Sequence, residues 1–237
     1  MKWSQASVKG LVREENEDSF CIWPDIGLFA VADGMGGHQA GEVASNLALK
    51  YLRESISEDP TVTSNPEASL LSSVRYANRE VFHIASQSKE LQGMGTTVTA
   101  SLILGGRLVY AHVGDSRIYL IRAGDIHQLT KDHSLVQEMV RKGELTREQA
   151  IRHPQKNVLT RALGTASDVV VDTANFGLQK GDRILLCTDG LTRHVGDREI
   201  LKEVFKKADL KEIIDSLLEI AFAKGGTDNI TVIIIEI

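Results

Sequence analysis

The sequence predicts an α+β fold in which antiparallel sheets are flanked by helices. Three observations carry that expectation. Closely spaced β-like runs in the middle of the chain are joined by short glycine-containing turns. Amphipathic helical stretches fall into an early pair and a late set, and no linker-like stretch separates them into domains. At 237 residues, 42% hydrophobic and 25% charged, the chain can bury a sizeable core as one domain spanning 1–237.

The elements follow in order. GLFAVA (Gly27 to Ala32) is an apolar strand run that ends on Asp33, and Cys21 lies in an earlier strand-like run. After His38, the positions Ala40, Val43, Ala44, Leu47, Ala48, Tyr51 and Leu52 keep the i, i+3, i+4 rhythm of an amphipathic helix. Asn65-Pro66-Glu67 starts a second helix with an Asn cap and a proline in the first turn, its apolar face running through Leu70, Val74, Ala77, Val81 and Ile84. Strand candidates TTVTASLIL, RLVYAHV, SRIYLIRAG and DIHQLT are joined by Gly105-Gly106, Gly114-Asp115 and Gly124-Asp125. Such short joins suit antiparallel neighbours. Ser134 to Leu163 reads as a polar helical excursion without a core-sized apolar face. VVVDTANF, DRILLCT and NITVIIIEI add further β structure, LTRHVGDREIL reads as helical, and a last helix opens on Asp209 with Glu212 in a capping-box arrangement and ends towards Gly225-Gly226.

Charge and composition exclude several functions. A net charge of −5 gives no reason to expect nucleic acid or an anionic membrane as partner, whereas an acidic site holding cations fits. No apolar run approaches the roughly 18 residues of a membrane span. MKWSQASVKG also lacks the apolar segment of a signal peptide, so the expected location is cytoplasmic. Cys21 and Cys187 both lie in apolar strand-like runs and read as buried free thiols.

VADGMGGH (Val31 to His38) looks at first like a phosphate-gripping loop. It lacks the Lys and Ser/Thr that must follow the glycines of an ATPase loop, and Gly34, Gly36 and Gly37 have the wrong spacing for a dinucleotide fingerprint. What remains is Asp33. Asp115 follows LVYAHVG, Asp189 follows RILLCT and Asp228 precedes NITVIIIEI, so four apolar strands carry an aspartate at one end. Turn chemistry explains any one of them. It explains the set poorly, because Asp33-Gly34 and Asp189-Gly190 both lead into helices rather than hairpins. Gathered at one rim, such carboxylates repel one another and require cations. All-oxygen ligands select hard ions such as Mg²⁺ or Mn²⁺, and no His or Cys spacing offers zinc. Two such ions about 3.5 to 4 Å apart activate a water for phosphoryl transfer. Arg13, in the acidic run that also holds Glu17 and Asp18, is a guanidinium suited to a phosphate, although a solvated charged loop is the ordinary reading of that segment alone.

RxxNED at Arg13 to Asp18, VADGMGGH, GMGTT at Gly93 to Thr97, VGDSR at Val113 to Arg117, LLCTDGLT and GGTDNIT occur in the order found in the metal-dependent protein phosphatase 2C family, and the chain resembles a bacterial member over nearly its whole length. The resemblance implies a central sandwich of two antiparallel sheets flanked by pairs of helices, with Ser134 to Leu163 as a flap beside the metals. It implies a phosphoserine/phosphothreonine phosphatase in which a hydroxide bridging two Mn²⁺ or Mg²⁺ ions attacks phosphorus without a phosphoenzyme. Asp33 would bridge the ions, the Gly34 carbonyl would complete one shell, and Asp189 and Asp228 would complete the pair. Glu17 and Asp18 would act through water or weakly, Asn229 from behind, and Arg13 on the substrate phosphate. Asp115, with Asp189, would hold a third, weaker ion. Phosphoproteins, including a Ser/Thr protein kinase, would be the partners of a monomeric enzyme.

One departure stands out. Where animal relatives place a histidine proposed as general acid, this chain has Met35, which cannot donate a proton; His38 and water on a third ion near Asp115 are the two substitutes. Two rival readings remain. Cys187 to Arg193 has the C-x5-R spacing of thiol phosphatases, but Asp189 inside it would repel a dianion. A binding module that had lost its chemistry would be expected to lose the aspartates, and all are present.

Overall fold

The computed structural model describes residues 1–37, 39–206 and 208–237. The strands are β1 (Lys2–Val8), β2 (Asp18–Trp23), β3 (Leu28–Met35), β4 (Gly95–Thr96), β5 (Val98–Leu104), β6 (Arg107–Val113), β7 (Arg117–Arg122), β8 (Asp125–Gln128), β9 (Asp172–Gly177), β10 (Arg183–Cys187) and β11 (Ile230–Glu236). The helices are α1 (Ala40–Glu58), α2 (Pro66–Gln87), α3 (Leu135–Arg141), α4 (Arg147–Arg152), α5 (Asp189–Thr192), α6 (Asp197–Val204) and α7 (Leu210–Ala223). One sheet runs β1-β11-β10-β7-β8; the other runs β2-β3-β5-β6-β9, with β4 added to β3. Every pairing is antiparallel.

The period-two alternation of the strands sorts their side chains between layers. On β3, Phe29 and Val31 enter the core between the sheets, while Leu28, Ala30 and Ala32 face α1 and α2. On β10, Ile184 and Leu186 point inward, whereas Leu185 and Cys187 face the α5 to α7 side; Ile233 and Ile235 of β11 point inward and Val232 and Ile234 outward. These strands are therefore covered on both faces, which is why they read as continuous apolar runs. Each such side chain contributes roughly 1.5–3 kcal/mol on burial, so the sheets are held rigidly enough to fix a site at their ends.

Several sequence expectations are corrected. β1 was not foreseen, because KWSQASV is a polar edge strand that pairs only through β11. The strand expected from Val169 begins at Asp172, and Val170 is exposed. Asn65 does occupy the cap position of α2, but its side chain makes no capping bond, and the proline behind it sets the first turn instead. The Gly114-Asp115 join is no hairpin: β6 and β7 lie in different sheets, so the chain crosses the sandwich there. Gly114 has φ +114°, and a Cβ on it would lie 2.5 Å from Thr97. Asp33 sits inside β3 rather than after it, paired with Asp18. The capping box of α7 is present, with Asp209 accepting from the Lys211 amide and Glu212 from the Asp209 amide. Ser134 to Leu163 forms α3, α4 and turns, closed by bridges between Ser134 and Leu159 and between Thr96 and Leu163. Among the described residues no helix is long and apolar enough to cross a membrane.

Candidate active site

The strand ends converge. Asp33 and Asp18 come from β3 and β2, Asp115 from the crossing between β6 and β7, Asp189 from the first residue of α5 directly after β10 and Thr188, and Asp228 from the turn before β11. Asp33, Asp115, Asp189 and Asp228 line a cavity of about 500 Å³ together with Arg13, Glu17, Gly34, Met35 and Arg193. The flap supplies one wall through Asn157, Leu159, Thr160, Arg161 and Ala162.

Local backbone geometry explains the glycines. A Cβ on Gly34 would lie 2.0 Å from the Gly41 carbonyl oxygen and 2.7 Å from that of Glu17, so only glycine lets the three segments meet beside Asp33. Gly190 plays the same part next to Asp189, where a Cβ would stand 1.9 Å from the Asn229 carbonyl. The turn in VADGMGG thus serves close backbone approach. GMGTT clamps Asp33 from the other side: the Asp33 amide donates to Thr97 Oγ1 at 2.9 Å, the Thr97 amide donates to the Asp33 carbonyl at 2.9 Å, and Thr96 Oγ1 donates to that same carbonyl.

Asn229 bonds to the backbone of the Arg13-bearing segment. Its Nδ2 donates to the Glu15 carbonyl at 3.0 Å and its Oδ1 accepts from the Glu17 amide at 3.1 Å, so it ties the Arg13-bearing segment to β11. Thr188, which the sequence did not single out, donates to Asp18 Oδ2 at 2.8 Å.

The acids burden one another. The Asp33 carboxyl is held well above the usual range by burial first and then by Asp18, Asp189, Asp115 and Asp228. Burial, then Asp189 and Asp132, do the same to Asp115, and burial raises Asp18 to about 7. Asp189 is raised by burial and partly relieved by Arg193. Among the described residues, two buried carboxylate oxygens, Asp18 Oδ1 and Asp189 Oδ1, have no hydrogen-bond partner. An orphaned buried acceptor costs about 1–3 kcal/mol, more when charged, so these oxygens fit a hard cation. Guanidiniums engage the others: Arg13 Nη2 lies 2.7 Å from Asp228 Oδ1, Arg193 Nη1 2.7 Å from Asp228 Oδ2, and Arg193 Nη2 pairs with Asp189 Oδ2. Among the described residues no three acid, His or Cys groups stand close enough together to hold an ion.

A pH dependence follows. Asp18, Asp33, Asp115 and Asp189 have folded-state pKa values above their unfolded ones, so the folded chain binds the extra protons and loses stability as pH rises from the ordinary 3.8 through about 7. Asp172 and Asp182, whose pKa values are lowered, act below that window. In chelator the urea midpoint is expected to fall between about pH 5 and 8, and saturating Mn²⁺ should flatten the fall. A midpoint that rises across the same window would contradict the mutual repulsion.

The thiol reading does not hold. Cys187 is fully buried in β10 and its thiol is pushed up to about 12 by burial, while Arg193 faces Asp189 and Asp228. His38 lies outside the described residues. Met35 does line the cavity. Arg161, not foreseen, pairs with Asp172 at 2.7 Å and anchors the end of the flap.

Comparison with known proteins agrees with this architecture. A family model described as protein phosphatase 2C matches residues 8–230. The serine/threonine phosphatase stp of Listeria monocytogenes is 40% identical over 233 residues, covering 96% of this chain and 92% of its own. The crystal structure of the Mycobacterium tuberculosis serine/threonine phosphatase PstP/Ppp is similar with a TM-score of 0.92 at 40% identity, covering 100% and 98% of the two chains. A structure of the PstP catalytic domain in complex with two manganese ions gives 0.89 at 39% identity, covering 98% and 96%. By fold and by a match across nearly its whole length, the molecule is a protein phosphatase. It belongs to the protein phosphatase 2C family.

Proposed function

We propose that the chain hydrolyses phosphoserine and phosphothreonine in phosphoproteins, as one catalytic domain over residues 1–237 with 134–163 as its flap. The observation that carries this reading is the acid rim with its two orphaned buried oxygens, Asp18 Oδ1 and Asp189 Oδ1. Asp33, Asp189, Asp228 and the Gly34 carbonyl would hold two Mn²⁺ or Mg²⁺ ions, with Asp18 and Glu17 acting through water. When bound, the pair supplies a water nucleophile ionised at neutral pH and positive charge against the phosphoryl oxygens.

The chain's own groups do the rest. Arg13 is half exposed at the cavity mouth, with one arm on Asp228, so its remaining donors can bind a phosphate and hold it in line. Direct attack by water, without a phosphoenzyme, is the proposed route, because the rim carboxylates would be committed to holding the ions. Met35 cannot protonate the leaving oxygen, and His38 is assigned that proton. Soluble phosphoproteins of the cytoplasm, a Ser/Thr protein kinase among them, are the proposed substrates of a monomeric enzyme.

Arg13→Ala tests the site. Loss of the bidentate contact should lower kcat/KM on a phosphothreonine peptide about 30- to 1,000-fold, partly through KM, with Mn²⁺ binding retained. An unchanged kcat/KM would return Arg13 to a solvated surface role.

A further inference from the structure

His133 is buried directly before the flap and belongs to none of the motifs above, yet each of its polar groups is bonded. Its amide donates to the Gly114 carbonyl at 2.7 Å, and its Nδ1 accepts from the Gly114 amide at 3.1 Å. One residue therefore holds both backbone groups of the glycine that precedes Asp115. The His133 carbonyl accepts from the Thr160 amide at 2.8 Å. The tautomer follows from these bonds. A backbone amide can only donate, so Nδ1 carries no hydrogen, and Nε2–H donates to Asp172 Oδ2 at 3.1 Å. Arg161 Nη1, 3.2 Å from that nitrogen, donates instead to Asp172 Oδ1 at 2.7 Å, so imidazole and guanidinium share the two oxygens of Asp172.

These bonds lead to two separate parts of the cavity. On one side, Gly114 has the left-handed φ of +114°, and Asp115 beside it lines the cavity. A buried turn of that shape keeps its form through its backbone bonds, and His133 supplies two of them. On the other side, Thr160 and Arg161 belong to the flap wall, while Asp172 opens β9 and pairs with His112 of β6. The His112 ring packs against His133 with centroids 4.7 Å apart and is itself held by Thr99 Oγ1 and the Lys131 carbonyl. We infer that His133 is a positioning residue with two tasks: Nδ1 sets Asp115 at the rim through Gly114, and Nε2 sets the flap wall through Asp172. It acts through these neighbours, since it does not line the cavity itself.

The inference rests on the phosphatase reading above, and two near-isosteric replacements test it. Asn places an amide oxygen near the position of Nδ1, so it can still accept from Gly114 but does not reach Asp172. Gln places an amide nitrogen near Nε2, so it can still donate to Asp172 but leaves the Gly114 amide without its acceptor. Steady-state kcat and KM are measured with Mn²⁺ on an aryl phosphate and on a phosphothreonine peptide, for both replacements, for Asp115→Asn and Asp172→Asn, and for the double variants. His133→Gln should lower kcat about tenfold on both substrates and add less than about twofold to Asp115→Asn, because both changes act through one carboxylate. His133→Asn should instead raise KM about tenfold more for the peptide, which spans more of the flap wall, and add little to Asp172→Asn. Double variants whose losses are the product of the single ones, or the same kinetic pattern for Asn and Gln, would overturn the inference and leave the phosphatase reading intact. Should either replacement not fold, Asp172→Asn decides, because it leaves the ring on Gly114: a larger KM rise for the peptide supports the inference, and equal rises overturn it. Wild type that hydrolyses neither substrate with Mn²⁺ would sink the phosphatase reading and this inference with it.

Discussion

Asp33→Asn is expected to reduce phosphopeptide hydrolysis by at least about a thousandfold while leaving the fold intact. The loss follows from the proposed role: Asp33 lines the cavity with Asp115, Asp189 and Asp228, and it is the carboxylate proposed to bridge the two ions. Its fold-independence follows from the clamp, which uses the Asp33 backbone rather than its carboxylate. Replacing the charge with an amide also removes repulsion from a buried cluster, so the metal-free variant should be at least as stable as wild type in urea. Mn²⁺ should raise the wild-type Tm in proportion to its binding and leave the variant's Tm nearly unchanged. A folded Asp33→Asn protein with near wild-type turnover at saturating Mn²⁺ would remove Asp33 from the site.

The second large effect contrasts two residues in LLCTDGLTR. Asp189→Asn should be nearly inactive, because an amide keeps the size of the group but loses the charge that attracts cations. Cys187→Ser should retain most of its activity. Its sulfur is fully buried against Leu185, Leu191 and the α5 to α7 layer, so serine costs packing and leaves a hydroxyl seeking a partner, about 1–3 kcal/mol of stability. Measuring kcat and the urea midpoint of both variants separates chemistry from packing. An inactive but folded Cys187→Ser protein beside an active Asp189→Asn protein would reverse the assignment.

What could be read from the sequence is what one strand or helix determines alone. The apolar runs of β3, β10 and β11, the apolar stripes of α1 and α2 and the Asp209–Glu212 cap are all local, and they stand where the pattern put them. The aspartates were legible as strand-end residues because each breaks an apolar run. Less was legible where the third dimension decides. β1 is polar and owes its strand to β11, and the Gly114-Asp115 turn has the letters of a hairpin although it crosses between sheets. Arg193 shows the same limit, since C-x5-R spacing states a separation and not a direction. Thr97 and Thr188 lay inside quoted motifs with no role of their own, because a threonine in a β run is ordinary until its hydroxyl is seen to hold the backbone or carboxylate of an active-site acid.

The most direct measurement of the central claim is phosphate release from a phosphothreonine peptide by the wild type, first as purified, then after EDTA, then after excess Mn²⁺. The account predicts turnover that EDTA abolishes and Mn²⁺ restores in full, with no phosphate retained on the protein when the reaction is quenched. Turnover that survives EDTA, or phosphate found covalently on the chain, would contradict it.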